Sequence, residues 1–312
     1  MNINQRFRFV AWCLCGNLFS AFGGSGLGFK MKKLDPESVC SLMQQPAHFR
    51  QRIINRLQAH NSRRPIFSER DLDIKTASAV LFLLSRCPGT DKLSGEPCLI
   101  LNKRSANVRQ PGDLCCPGGR VNPRLDSGLA KLLRLPILPL AHWPYWPAWR
   151  KIRLQEAVWL RLLLATGLRE SLEEMRLNPF GLKFLGPLPP QPLVMFQRVI
   201  YPMVIWVSGQ TRFYPNWEVE KIVCLPVRDL LNPSMYARYR LQIETPSGAE
   251  NVNTFPCFRY VKNQEAEILW GATFRITMDF LSYVFDFSPP DVHSLPEIRG
   301  HLSRAYLSNN SG

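Results

Sequence analysis

Glu170, Glu173 and Glu174 stand at positions i, i+3 and i+4 of the run Arg169-Glu170-Ser171-Leu172-Glu173-Glu174. In a helix those spacings bring the three side chains to one face. Three carboxylates so placed repel one another unless a cation sits among them. Hard oxygen ligands of this kind suit Mg²⁺ or Mn²⁺, which proteins hold by a few carboxylates and leave open to substrate phosphates. A solvated helix face is the ordinary explanation of such a cluster taken alone. Apolar Leu162, Leu163, Leu164 and Leu168 precede it, so a helix near 155–177 with one face in a core is expected. Upstream, Pro117-Gly118-Gly119 offers a turn where backbone can come close to such a site, though ordinary loop glycines would look the same.

The stretch Leu101 to Gly119 contains Arg104-Ser105, Arg109, Gly112 and Cys116-Pro117-Gly118-Gly119, and it leads toward Arg169-Glu170-x-x-Glu173-Glu174. In that order these segments resemble the Nudix hydrolase superfamily. More narrowly they resemble its coenzyme A diphosphatase branch, in which Arg-Ser…Arg…Gly…Phe-Pro-Gly-Gly precedes a box G-x(5–6)-E-x7-R-E-U-x-E-E-x-G-U, with U apolar. The similarity runs over residues 76 to 285. Thr76 to Leu84 is similar to the branch's first core strand, Val199 to Val204 and Asn216-Trp217-Glu218-Val219 to later segments, and Trp270-Gly271-Ala272-Thr273 to the opening of its last helix.

Three features depart from the pattern. Asp126 stands where the box has its first Glu, and Arg169 arrives only after residues 127–168, so an insert at about 127–161 splits the box. Arg176 stands where the box has Gly; if that position needs a positive φ, a side chain there costs about 1–2 kcal/mol. Cys116 replaces the Phe of Phe-Pro-Gly-Gly.

The resemblance implies an α/β/α sandwich with a mixed sheet, here carrying an N-terminal helical extension, and hydrolysis of a nucleoside diphosphate linked to another moiety. It implies Glu170, Glu173 and Glu174 as metal ligands and catalytic carboxylates, with Arg169 orienting Glu173 through its planar fork. Gly118 and Gly119 are expected beside the substrate. Arg104 and Arg109 are expected on the phosphates of coenzyme A, whose cleavage would yield 3′,5′-ADP and 4′-phosphopantetheine; two solvated arginines beside a strand end are the alternative. Glu218 would supply a further carboxylate or sit as a charge at a strand edge. ADP-ribose, NADH or a dinucleoside polyphosphate are rival substrates, and a catalytically weak nucleotide-binding protein on the same fold is the rival from another class.

The net charge of +15 over 312 residues, with a pI near 9.7, favours anionic partners. The basic residues are dispersed, with no zinc-finger spacing, RNP-like motif or compact basic run, which argues against nucleic acid and for a small phosphorylated molecule. Nine cysteines show neither disulfide nor zinc spacing and suit a reducing cytoplasm.

Residues 1–30 are expected as an unstructured leader or a misassigned start rather than an export signal, because the apolar run Phe9 to Cys15 is short. An N-terminal helical segment at 31–70, broken at Pro46, precedes the main domain at 71–290, and a polar tail follows at 291–312. Strands are expected at 77–86, 97–103, 184–186, 199–208 and 219–225, hairpins over 236–260, and a final helix at 273–285. The insert is rich in Trp and Pro between Leu138 and Lys151. It reads first as an excursion packed on its own domain. A lid over the substrate, a contact in a homodimer and a wedge at a membrane interface are the other roles its Trp, Arg and Lys leave open. His142 reads as structural.

Overall fold

A computed structural model describes residues 36–62, 65–67, 73–88, 95–193, 197–244, 250–302 and 306; the leader expected at 1–30 and most of the tail after 302 lie outside the described residues. The central strand is β1 (Ala77–Arg86), buried along all but its last residue. Its side chains alternate between two cores, as pleating requires. Val80, Phe82 and Leu84 enter one, and Ala79, Leu81 and Leu83 enter the other. A strand covered on both faces explains why the segment reads as a continuous apolar run.

The first core is closed by α2 (Pro46–Asn61), through Phe49, Ile53 and Leu57, and by α7 (Gly271–Phe285), through Phe274, Phe280 and Leu281. The second is closed by α5 (Leu154–Met175), through Leu160, Leu163 and Leu164. The expected α/β/α sandwich is therefore present. Pro46 stands at the first turn of α2 and separates it from α1 (Pro36–Gln44), where a missing backbone N–H costs nothing. The helical extension is tied to the domain at the far end of α7. Arg52 Nε donates to the Val284 carbonyl at 2.9 Å, Arg56 Nε donates to that of Tyr283 at 2.7 Å, and Arg56 pairs with Asp286. Cations at a helix C-terminus meet both its unpaired carbonyls and its negative dipole end.

The main sheet is mixed. β1 runs parallel to β7 (Arg198–Val207), which carries β5 (Leu182–Pro187) and β6 (Gln191–Leu193) antiparallel. On its other edge β1 pairs with β2 (Pro97–Arg104) only from Leu83–Ile100 to Arg86–Pro97. The two strands then part. The wedge is filled by β3 (Leu114–Cys115), on Asn102 and Lys103 of β2, and β4 (Gly118–Arg120), on residues 78–80 of β1. β8 (Val219–Pro226) covers the outer edge of β2. A second sheet, in the order β11 (Glu265–Leu269), β10 (Glu250–Lys262), β9 (Tyr236–Glu244) and β12 (Glu297–Leu302), goes beyond the hairpins expected over 236–260. β12 runs parallel to β9 from within the stretch expected as a polar tail. The expected insert region holds α3 (Pro123–Leu132), a 3₁₀ turn at Pro139–His142 and α4 (Trp146–Ile152); a single helical turn, α6 (Val227–Leu230), follows β8.

One buried carboxyl in this frame has a pH consequence. Asp279 of α7 accepts from Gln191 Nε2 at 2.5 Å, and burial pushes its pKa up to about 6 despite Arg275 and that hydrogen bond. Below about pH 4 the group is neutral in both folded and unfolded chains. As pH rises to about 6 the unfolded chain releases the proton and the folded one retains it, so stability falls through that window and the penalty is complete above it. Asp279→Asn keeps an oxygen for Gln191. It is expected to raise stability at pH 7 by roughly 1–3 kcal/mol and to change little at pH 4, measured by thermal melts at the two pH values.

Candidate functional site

α5 is 22 residues long, and its last two turns carry Arg169, Glu170, Glu173 and Glu174. No basic residue lies in its last turn, so these carboxylates sit at the negative end of the helix dipole, and the cation that pairs with Glu170 and Glu173 is Arg169, one turn earlier on the same helix.

Arg169 is itself fixed by an ion pair with Asp126. This carboxylate is fully buried at the first turn of α3. Asp126 Oδ2 accepts from the Asn122 N–H at 2.7 Å and from Thr166 Oγ1 at 2.8 Å. Arg169 Nε donates to Asp126 Oδ1 at 2.7 Å. The Asn122 side chain returns the cap by accepting from the N–H groups of Arg124 and Leu125, a reciprocal arrangement like that of a capping box with the acid one residue later. Hydrogen bonding to Asp126 first, and the charge of Glu170 after it, raise the Arg169 guanidinium above its ordinary value. Arg169 then spreads its fork over Glu170 Oε1 at 2.9 Å, Glu173 Oε1 at 3.3 Å and the Arg120 carbonyl at 3.2 Å. The expected contact to Glu173 is there, but Asp126 and Glu170 are the shorter pairs, and Glu173 is 55% exposed at the rim.

Glu170 and Glu174 point the other way, into the wedge where β1 and β2 part. A Cβ on Gly119 would stand 2.5 Å from Glu170 Cδ, so the carboxylate lies directly on that glycine. Gly118 has φ +144°, and a Cβ there would meet the Ala79 carbonyl at 2.3 Å; no other residue fits. The Gly118 N–H donates to Glu174 Oε2 at 3.3 Å, and Asn102 Nδ2 donates to the same oxygen at 2.8 Å. Asn102 is buried at the point where β2 leaves β1 and was not anticipated; the available signal was a lone Asn closing the apolar run Leu99-Ile100-Leu101. Burial pushes the Glu174 pKa up to about 8, opposed by the Gly118 N–H and reinforced by Glu170 and Glu218. Burial also raises Glu170, against the pull of Arg169. Glu218, left open between site and strand edge, thus acts electrically on Glu174.

Arg104 lies near the same carboxylate and lowers it. Its Nε donates to the Arg109 carbonyl at 2.6 Å and its backbone N–H to that of Asp113 at 3.0 Å, so the loop from 104 to 113 closes on itself. Arg109 is exposed on that loop. Asp113, also unanticipated, accepts from Trp270 Nε1 at 3.0 Å and from the Tyr306 hydroxyl; burial pushes its pKa up to about 6 against both bonds and the charge of Arg104. The tryptophans of the insert are structural. Trp143, Trp146 and Trp149 are buried in the second core, and Trp143 meets Phe184 edge-on at 5.0 Å.

Among the described residues no three His, Cys, Asp or Glu side chains converge at metal-binding distances as they stand. The donor chemistry nevertheless fits a hard divalent cation: two neighbouring carboxylates, both raised by burial and by negative neighbours, would be relieved by one, with the remaining ligands coming from water and phosphate.

No family model matches the chain. Over 183 residues it is 27% identical to an uncharacterized Nudix hydrolase, NudL, of Pectobacterium atrosepticum, covering 58% of this chain and 71% of that protein. Solved structures with partial likeness include RenU, a Nudix hydrolase from M. smegmatis (TM-score 0.30, 14% identity, 49% of this chain and 71% of that one). Another is a Nudix hydrolase from Alicyclobacillus acidocaldarius (TM-score 0.33, 18% identity, 51% and 82%). At such TM-scores these structural likenesses carry no argument. Over those 183 residues the chain is thus similar to a protein described as a Nudix hydrolase, in keeping with the resemblance its motifs carry.

Two substitutions test the local physics. Asp126→Ala leaves Arg169 without its best partner and is expected to cost about 3–5 kcal/mol, read by urea denaturation. Arg176 caps α5 in the left-handed region at φ 54°, with its N–H on the Leu172 carbonyl. Arg176→Gly is expected to stabilise by about 1 kcal/mol, and a loss of stability would refute the assignment of strain.

Proposed function

We propose that the chain hydrolyses the diphosphate of coenzyme A or its derivatives, with Mg²⁺ or Mn²⁺, to 3′,5′-ADP and 4′-phosphopantetheine. The observation that carries this reading is the meeting of half-buried Glu170 and Glu174 with Gly118, Gly119 and the charge of Arg104 in one wedge of the sheet. The proposal assigns the chemistry to the domain at 71–290, in a reducing cytoplasm. It takes Asp126 as the acid that stands before the insert, supported by its direct pairing with Arg169.

Glu170 and Glu174 would hold the ion, with Glu173 joining from the rim. A divalent cation bound there supplies neutralisation of the phosphate oxygens and a more acidic water. Arg169 holds Glu170 in place on Gly119. The Asn102 and Gly118 donors fix Glu174 Oε2, which leaves Oε1 to bind or to take the proton of the attacking water. The glycines let the phosphate chain approach the backbone. Arg104 would face the diphosphate and Arg109 the more distant 3′-phosphate. The carboxylate wedge suits any nucleoside diphosphate derivative, including ADP-ribose and NADH; the Arg104 to Gly119 stretch is what favours coenzyme A.

Product-resolved hydrolysis of coenzyme A, with ADP-ribose and NADH alongside, tests the proposal. Metal-dependent release of 3′,5′-ADP is the expected result. Preference for another substrate would replace coenzyme A, and metal binding without turnover would favour a nucleotide-binding protein. Glu174→Gln is expected to lower kcat by about 10²–10⁴ with the melting temperature preserved; full activity of the purified variant would remove Glu174 from the mechanism.

A further inference from the structure

The outward face of the segment 123–161 has no part in the chemistry above. α3 sets Leu125, Leu129 and Leu132 at i, i+4 and i+7, all exposed, while Asp126 and Leu133 one position on are buried. The helix thus has two adjoining flanks, and only one is covered. Leu135 and Ile137 are exposed in the turn that follows. At the junction of α4 and α5, Ile152 is 82% and Leu154 64% exposed, with exposed Val158 one turn further. α3 and α4 both pack on α5, so these side chains belong to one outer layer of helices. Of fourteen large hydrophobic residues exposed among the described residues, eight fall between 125 and 158. Single exposed apolar residues are ordinary; this concentration is not.

The same segment contains seven Lys and Arg against two acids. Both acids are engaged: Asp126 with Arg169, and Glu156 with Arg153 and the Ile66 N–H. Lys131, Arg134, Arg150 and Lys151 are exposed and form no ion pair among the described residues. Arg161 lies close enough to Arg134 and Arg150 to be lowered by both, after burial. The crowding is unrelieved and calls for anions. A second copy of this chain would bring cations against cations. Nucleic acid would answer the charge and leave the aliphatic side chains in water. A bilayer with anionic headgroups answers both, with Lys and Arg at the phosphate level and Leu and Ile at the acyl boundary. No helix among the described residues is long and apolar enough to cross a membrane, so the contact is peripheral.

We propose that this Leu- and Ile-bearing, basic face of α3, α4 and the start of α5 docks on the surface of an anionic bilayer.

Flotation of the full chain with vesicles of phosphatidylcholine, with and without phosphatidylglycerol, tests this. Binding to the anionic vesicles is expected to exceed binding to neutral ones at least about tenfold and to fade as salt is raised. Arg150→Glu with Lys151→Glu is expected to weaken it about tenfold or more. Ile152→Ser with Leu154→Ser is expected to weaken it while leaving the melting temperature unchanged, because both side chains are already in water. No flotation with anionic vesicles at low salt overturns the proposal, as does equal binding to neutral vesicles or unchanged binding in both double variants. A dimer in sedimentation that the same variants dissolve, without flotation, assigns the face to a second copy and overturns it too.

Discussion

The buried pair of Asp126 and Arg169 is the constraint on which the site depends. A carboxylate with no access to water must find a cation and enough donors, or it destabilises the fold. Asp126 finds Arg169, Thr166 and the Asn122 N–H. Those partners come from two helices separated in the chain by residues 133–153, so the pair fixes how α3 returns to α5. Arg169 is then committed on one side, and its remaining N–H groups hold Glu170 and reach Glu173. The position of the carboxylates is thus inherited from a contact between two helices.

The sheet supplies the complementary half. β1 and β2 pair briefly and part, and the opening receives Gly118 and Gly119 on one side and Asn102 on the other. Only glycine lets α5 bring Glu170 so near the β4 backbone, and only an unusual backbone lets Gly118 pass the Ala79 carbonyl. Carboxylates gathered at a helix C-terminus, raised by burial and by each other, store repulsion that a divalent cation would discharge. Stability and cation affinity are opposed in this arrangement, and the fold meets the cost with Arg169, Asn102 and the Gly118 N–H.

Much of this was legible in the residues. Alternation is hidden in a strand buried on both faces, yet the length and apolar content of 77–86 and 199–208 identified β1 and β7, the latter one residue late. The spacing of Glu170 and Glu174 placed them on one helix face, and Pro117-Gly118-Gly119 announced a close approach. The second sheet was less legible, because β12 is a short polar strand, Glu-Ile-Arg-Gly-His-Leu, whose place is set by parallel pairing with β9 rather than by an apolar pattern. Asn102 and Asp113 escaped notice since their importance lies in what surrounds them in space. The tryptophans of the insert drew attention for their chemistry and serve packing; the exposed leucines beside them are the more unusual feature.

Glu170 and Glu174 are the cation site proposed for this fold. The most direct measurement is Mn²⁺ binding, followed by the paramagnetic signal of the free ion, in the natural chain and in Glu170→Gln with Glu174→Gln. Saturable Mn²⁺ binding is expected in the natural chain and is expected to disappear in the double variant, whose circular dichroism remains that of the folded chain. Equal binding by the two proteins, or none by either in the presence of a nucleoside diphosphate, would contradict it.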